Sequence, residues 1–268
     1  MRVLVTNDDG IEAPGLHALA IAVDGAGYDV LVVASDRNHS GYGAAIGDLG
    51  SGPDLVVTPA EIPGAPHLPA WSLVGPPALC VMAARLGGFG EPPELVASGV
   101  NPGNNTGRAV LHSGTVGAVL TGGNLGISGV AVSVGVTPSP RFDTAATVAV
   151  AALGWIETAP AKTLLNVNVP PVDRRELRGT RWAELAPFGT VRAALHQPRA
   201  GTLEFSLVDT SVELPPGSDT ALVHSGYVAV TCLTGIRADE WQPAAAEIDR
   251  RLSADDARRV RPAAGETA

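Results

Sequence analysis

Cysteine is scarce: Cys80 and Cys232 are the only two among 268 residues. That excludes a disulfide framework, and a reducing compartment, the cytoplasm, is the expectation. Positive charge is short as well. Eighteen Lys and Arg stand against 27 Asp and Glu, a net charge of −9. A surface that coats nucleic acid needs a basic face, so no nucleic-acid partner is expected. Small anionic substrates stay open, because one bound cation reverses the local field. The first residues enter an apolar run without the basic-then-apolar signature of a secretory signal. The sequon matches at Asn38 and Asn104 therefore carry no weight. Between Ala109 and Pro140 there is no Asp, Glu, Lys or Arg. That stretch holds seven glycines, His112 and Asn124, so it reads as buried α/β core and no membrane contact is expected.

What is present is an apolar share of 45%, enough for one large domain or two small ones. Val3 to Thr6 and Val30 to Ala34 are short continuous apolar runs, the mark of strands covered on both faces by helices. Between them Pro14 opens a helical pattern whose Leu16, Leu19, Ala20 and Val23 share a face before Gly25 to Gly27 end it. Further strands are expected at 55–58, 71–74, 94–98, 130–134 and 164–169, with helices opening at Pro76-Pro77, near Ser113 and from about 142 to 158. After Pro171 the segments near Arg181, Val191, 203–207 and 227–231 alternate, which predicts antiparallel hairpins. The expected architecture is a Rossmann-like, mostly parallel α/β sheet over 1–175. A β-hairpin arm and closing strand follow over 176–242, a candidate oligomerisation element, and then a helix and mobile tail over 243–268.

The first strand stops at Asn7-Asp8-Asp9-Gly10. Two adjacent carboxylates repel unless a positive object sits between them, and a divalent cation with oxygen preference is the simplest. Taken alone, the pair reads first as a cap for the next helix. Ser40 in the loop after the second strand and Asn101 after the third come to the same carboxyl edge, where open α/β folds bind ligands. Asn105 and the helix start Ser113-Gly114-Thr115 offer donors to phosphate oxygens, although Ser and Thr are also ordinary caps. The set predicts phosphomonoester hydrolysis by a metal-activated water, with Asp8 or Asp9 as general base and one Mg2+ or Mn2+ per subunit.

The ordered motifs resemble those of the SurE nucleotidases (survival protein E). The resemblance rests on Val3 to Ile11, on Asp36-Arg37-Asn38-His39-Ser40-Gly41, and on Ser98 to Gly107 with Ser113 to Ala118. Leu165 to Pro170 and Asp219 to Val223 with Gly226-Tyr227-Val228 extend it. It implies a 5'/3'-nucleotidase acting on nucleoside monophosphates, with Asp8, Asp9, Ser40 and Asn101 as metal ligands. It also implies dimers or tetramers that exchange C-terminal elements, and in some members activity on short polyphosphate. The chain departs from the family pattern on the substrate side. Gly75-Pro76-Pro77-Ala78-Leu79-Cys80 lacks the usual Thr and Asp, and Tyr42 to Gly47 lacks the usual hydroxyls. His112 replaces a Tyr, Thr121 replaces a Glu, and Thr234-Gly235-Ile236-Arg237 replaces an Asp- and Thr-bearing segment. The rival expectation is a nucleotide-binding relative that has lost turnover. A dinucleotide-binding protein is disfavoured, since two carboxylates in the first turn repel a pyrophosphate.

Overall fold

Alternation along one five-residue strand divides the core into two layers. In the computed structural model the described residues are 1–48, 54–187, 191–199, 201–209, 213–237 and 245–251. The elements are β1 (Arg2–Thr6), α1 (Pro14–Gly25), β2 (Asp29–Ser35), β3 (Val57–Ala60), β4 (Ala70–Leu73), α2 (Pro77–Arg85), β5 (Leu95–Pro102) and α3 (Gly114–Asn124). They continue with β6 (Ser128–Val134), α4 (Phe142–Ile156), β7 (Leu164–Val169), β8 (Thr180–Trp182), β9 (Val191–Arg199), β10 (Thr202–Asp209), α5 (Asp219–His224) and β11 (Val228–Leu233).

Val3 and Val5 of β1 point into a core shared with Leu16, Leu19 and Val23 of α1 and Ala145, Ala149 and Leu153 of α4. Leu4 points the other way, into a core with Leu79 and Val81 of α2 and Val116 and Val119 of α3. Period-two alternation forces this split. Fully burying each such Val or Leu is worth about 1.5–3 kcal/mol, so both layers hold β1 in register.

Nine strands form one sheet in the order β3-β4-β2-β1-β5-β6-β7-β11-β8. From β4 through β7 every pairing is parallel. The chain moves from β1 to one side through β2, then returns to the other side at β5. The order therefore reverses between β1 and β5, the place where open α/β sheets hold ligands. A separate antiparallel pair, β9 and β10, forms the hairpin of the arm.

The alternating segments at Arg181 and Tyr227 do not form hairpins of their own. β11 joins the main sheet antiparallel to β7, and β8 lies parallel to β11 as the sheet edge. An alternating pattern reports one covered face and is silent about which strand lies alongside. The chain divides into two units, Met1–Gly235 and Ile236–Ala268. Of the second, a helix over 245–251 is described, with Glu247 paired to Arg250 (2.8 Å) and Arg251 (2.6 Å). The expected tail lies outside the described residues. No described helix is long and apolar enough to cross a membrane.

α5 carries a buried acid with a structural task. Asp219 is 0% exposed, and its carboxylate accepts from the N–H groups of Gly107 (2.8 Å), Ala186 (3.0 Å) and Thr220 (2.8 Å). It thereby clamps the end of the Asn- and Gly-rich loop after β5. Asp219→Ala leaves those buried donors unpaired. Each costs about 1–3 kcal/mol, so we expect a loss of roughly 3 kcal/mol and a Tm fall of at least about 6 °C in thermal unfolding.

Candidate metal centre and substrate site

β1 delivers Asn7, Asp8 and Asp9 into the switch point. Asn7 is 0% exposed and spans the turn, donating from Nδ2 to the Gly10 carbonyl (3.1 Å) and accepting at Oδ1 from the Gly10 N–H (3.2 Å). Gly10 has φ +110°, and a Cβ there would lie 3.3 Å from the Arg37 carbonyl carbon. Glycine lets the turn take this shape and lets the second loop approach.

The two acids are held by different elements. Asp8, 3% exposed, faces the start of α3: Thr115 Oγ1 donates to its Oδ1 at 2.6 Å. At Gly114 a Cβ would lie 2.7 Å from Asp8 Cβ and 2.8 Å from Oδ2. The carboxylate thus rests against the positive end of a helix. Asp9 faces the α1 and α4 side. Burial, with the Asp8 charge second, pushes its carboxyl up to about 6. Its Oδ2 is buried and accepts no hydrogen bond from any described residue.

The loop after β2 is tied to both. The His39 N–H donates to the Asp8 carbonyl (2.7 Å), and Asn38 Nδ2 lies 3.5 Å from Asp9 Oδ1. Asn38 Oδ1 also accepts from the Ser40 N–H (2.8 Å), and Ser40 is exposed at the rim. Gly43 completes the seam: its N–H donates to the His112 carbonyl (3.1 Å), and a Cβ at Gly117 would come within 2.2 Å of the Gly43 carbonyl oxygen. Asp36 pairs with Arg37 (3.3 Å) and accepts from the Gly75 N–H (3.2 Å). Cys80 is 0% exposed, and burial pushes its thiol up to about 12.

β5 runs further than expected, through Pro102, so Asn101 stands on the strand itself, paired with Ser133 of β6 beyond Ser98, the last partner of β1. Its Nδ2 donates to the Gly103 carbonyl (2.7 Å), which leaves Oδ1 as the end available to a cation. Asn105 is anchored from three sides. Its N–H donates to Asn168 Oδ1 (2.8 Å), its carbonyl accepts from Asn166 (2.8 Å) and Asn168 (3.0 Å), and its Nδ2 donates to Ser133 Oγ (2.9 Å).

At the α3 start the hydroxyls have other work than the phosphate contact expected of them. Ser113 Oγ caps the helix by accepting from the Val116 N–H (3.2 Å), and the Thr115 hydroxyl is given to Asp8. The cap uses the Val116 N–H, so the other first-turn N–H groups and the Ser113 O–H are the donors that remain there for an anion.

Sequence reasoning passed over Asn38, Asn166, Asn168 and the contact role of Gly114. The two β7 asparagines left a signal: polar residues two apart in an apolar strand share one face, and both are 0% exposed. Gly114 left none, because only folding brings it to Asp8.

The donors suit a hard cation. They are two carboxylates, one of them with a buried unpartnered oxygen, together with an amide oxygen and a hydroxyl. Among the described residues no three His, Cys, Asp or Glu side chains gather, so an amide oxygen and a hydroxyl would have to complete the set. Thr115→Val removes the hydroxyl that orients Asp8. Partners of metal ligands are worth about 10–100-fold in affinity, so we expect that loss in a Mn2+ titration, with Thr115→Ser restoring binding.

Fold and site together define a Rossmann-like α/β protein with an oxygen-lined, doubly acidic centre at its switch point. The chain belongs to the Survival protein SurE family, whose model matches residues 3–190. It is 36% identical over 242 residues to the 5'-nucleotidase SurE of Xylella fastidiosa (strain M12), covering 86% of this chain and 88% of that protein. Against the 5'-nucleotidase SurE of Synechococcus sp. (strain JA-3-3Ab) it is 37% identical over 240 residues, with 87% and 91% covered. The crystal structure of the SurE protein from Aquifex aeolicus superposes with a TM-score of 0.74 at 28% identity, covering 94% of this chain and all of that one.

Proposed function

We propose that the protein hydrolyses nucleoside monophosphates with a divalent cation, Mg2+ or Mn2+, held by Asp8, Asp9, Asn101 and Ser40. The observation that carries this reading is the Asp8–Asp9 pair: two neighbouring acids, one with a buried oxygen that no described residue satisfies. Its relatives named 5'-nucleotidase support the substrate class. When bound, the cation supplies positive charge against the phosphoryl oxygens and lowers the pKa of water.

The chain's own groups do the remainder. Thr115 and the α3 start fix the position of Asp8. One of the two carboxylates, Asp8 or Asp9, accepts the proton of the attacking water. The first-turn N–H groups of α3 hold a phosphoryl oxygen, and the anchored Asn105 shapes the wall behind it.

Leu195 and Leu203 stand 63% and 68% exposed on the β9–β10 hairpin, which supports a dimer or tetramer built through the arm. Light scattering of the intact protein tests this. The free thiols of Cys80 and Cys232 support a cytoplasmic location. The test of function is phosphate release from a panel of nucleoside monophosphates with Mn2+. Turnover that a chelator abolishes is expected, and no release above the chelated control overturns the reading.

A further inference from the structure

A cavity of about 330 Å³ opens directly beside Asp9, on the α1 and α4 side of the sheet. Its walls are Pro14 and Gly15 of α1, Pro102 at the end of β5 and Phe142 at the start of α4, with Asp9 and the exposed Glu12 supplying the charge. We propose that this cavity receives the nucleoside half of the substrate. In this assignment Phe142 is the face against which the base stacks, and Glu12 turns away leaving groups that carry further phosphates. The inference rests on the nucleotidase reading.

Four observations lead there. The cavity shares Asp9 with the metal centre, so an ester whose phosphate sits at the switch point has its leaving group within reach of it. The walls are apolar and in part aromatic, and the size falls at the small end of ligand pockets, which suits a nucleoside. Phe142 is only half-buried and lines the cavity. Its seat is built in: a Cβ at Gly15 would lie 3.1 Å from Phe142 Cε1 and 2.0 Å from the Val100 carbonyl oxygen, so glycine allows α1, β5 and the ring to meet. Both charged groups lining the space are acids. A neutral, hydroxyl-bearing nucleoside is tolerated beside them, whereas a polyphosphate chain is repelled at close range.

Binding of adenosine needs no metal, so calorimetry on the metal-free protein tests the subsite alone. Stacking on one aromatic ring is worth roughly five- to a hundredfold in affinity. We expect adenosine to bind and Phe142→Ala to weaken it about tenfold. Phe142→Leu, which keeps the apolar packing, loses a similar amount. No binding, or equal binding by both variants and the parent, overturns the assignment.

With Mn2+ present, the ratio of kcat/KM for adenosine 5'-monophosphate over glycerol 1-phosphate falls about tenfold in Phe142→Leu, mainly through KM. Glu12→Lys raises the rate on inorganic tripolyphosphate severalfold relative to adenosine 5'-monophosphate. An unchanged value of either ratio counts against the proposal. If adenosine binds as described and neither ester is cut by the metal-loaded parent, the nucleotidase reading fails while the subsite stands.

Discussion

Asp9→Asn destroys turnover and makes the metal-free protein more stable. In the proposed reading Asp9 is a carboxylate ligand, and its loss removes several kcal/mol of transition-state charge stabilisation. At about 1.4 kcal/mol per decade, kcat/KM falls at least about 10³-fold. Stability moves the other way. The folded Asp9 carboxyl is raised from 3.8 to about 6 by burial and then by Asp8. Such a group costs stability once it must ionise. The cost is absent below about 3.8, grows as pH rises through about 6, and is full above that. Two units correspond to roughly 3 kcal/mol, and solvent screening of a part-exposed group cuts this to about 1 kcal/mol. Asn carries no such charge, so the metal-free variant melts about 2–4 °C above the parent at pH 8. The two coincide near pH 4. Scanning calorimetry across that range reads the difference. Asp8→Asn loses turnover as well.

Gly114→Ala gives the second large effect. Alanine is a better helix former than glycine, so α3 itself gains slightly. The added Cβ, however, falls 2.7 Å from Asp8 Cβ and 2.8 Å from its Oδ2. Neither position is tenable, and the acid must shift. A displacement of about 1 Å at a reacting centre costs about 10²-fold, and we expect a kcat loss of that order with the cooperative unfolding transition retained. Gly154→Ala is the control. Gly154 lies in α4 with no atom within 4 Å of the added carbon, so that substitution gains about 0.5–1 kcal/mol and leaves turnover alone. Equal effects of the two variants contradict the account of Asp8.

Much of this was legible in the residues, for reasons the coordinates make plain. The apolar runs at Val3 and Val30 mark buried parallel strands because such strands are covered on both faces. The pair Asp8-Asp9 stood out because it ends one of them. What alternation could not supply was partnership. The segments at Arg181 and Tyr227 looked like the hairpin residues but belong to the main sheet. Hydroxyls near a helix start likewise do not announce whether they face a ligand or the protein. Ser113 caps α3 and Thr115 serves Asp8, a division set by which way the first turn of the helix is rotated against β1. The buried asparagines of β7 acquired meaning only once Asn105 was seen to hang from them.

The central claim is that one hard cation lies between the two acids. Anomalous diffraction from crystals soaked in Mn2+ tests it most directly. The account predicts a single strong peak per subunit at the site that Asp8, Asp9, Asn101 and Ser40 would hold. A structure in which the acids stay free of metal while Mn2+ binds elsewhere or not at all contradicts it.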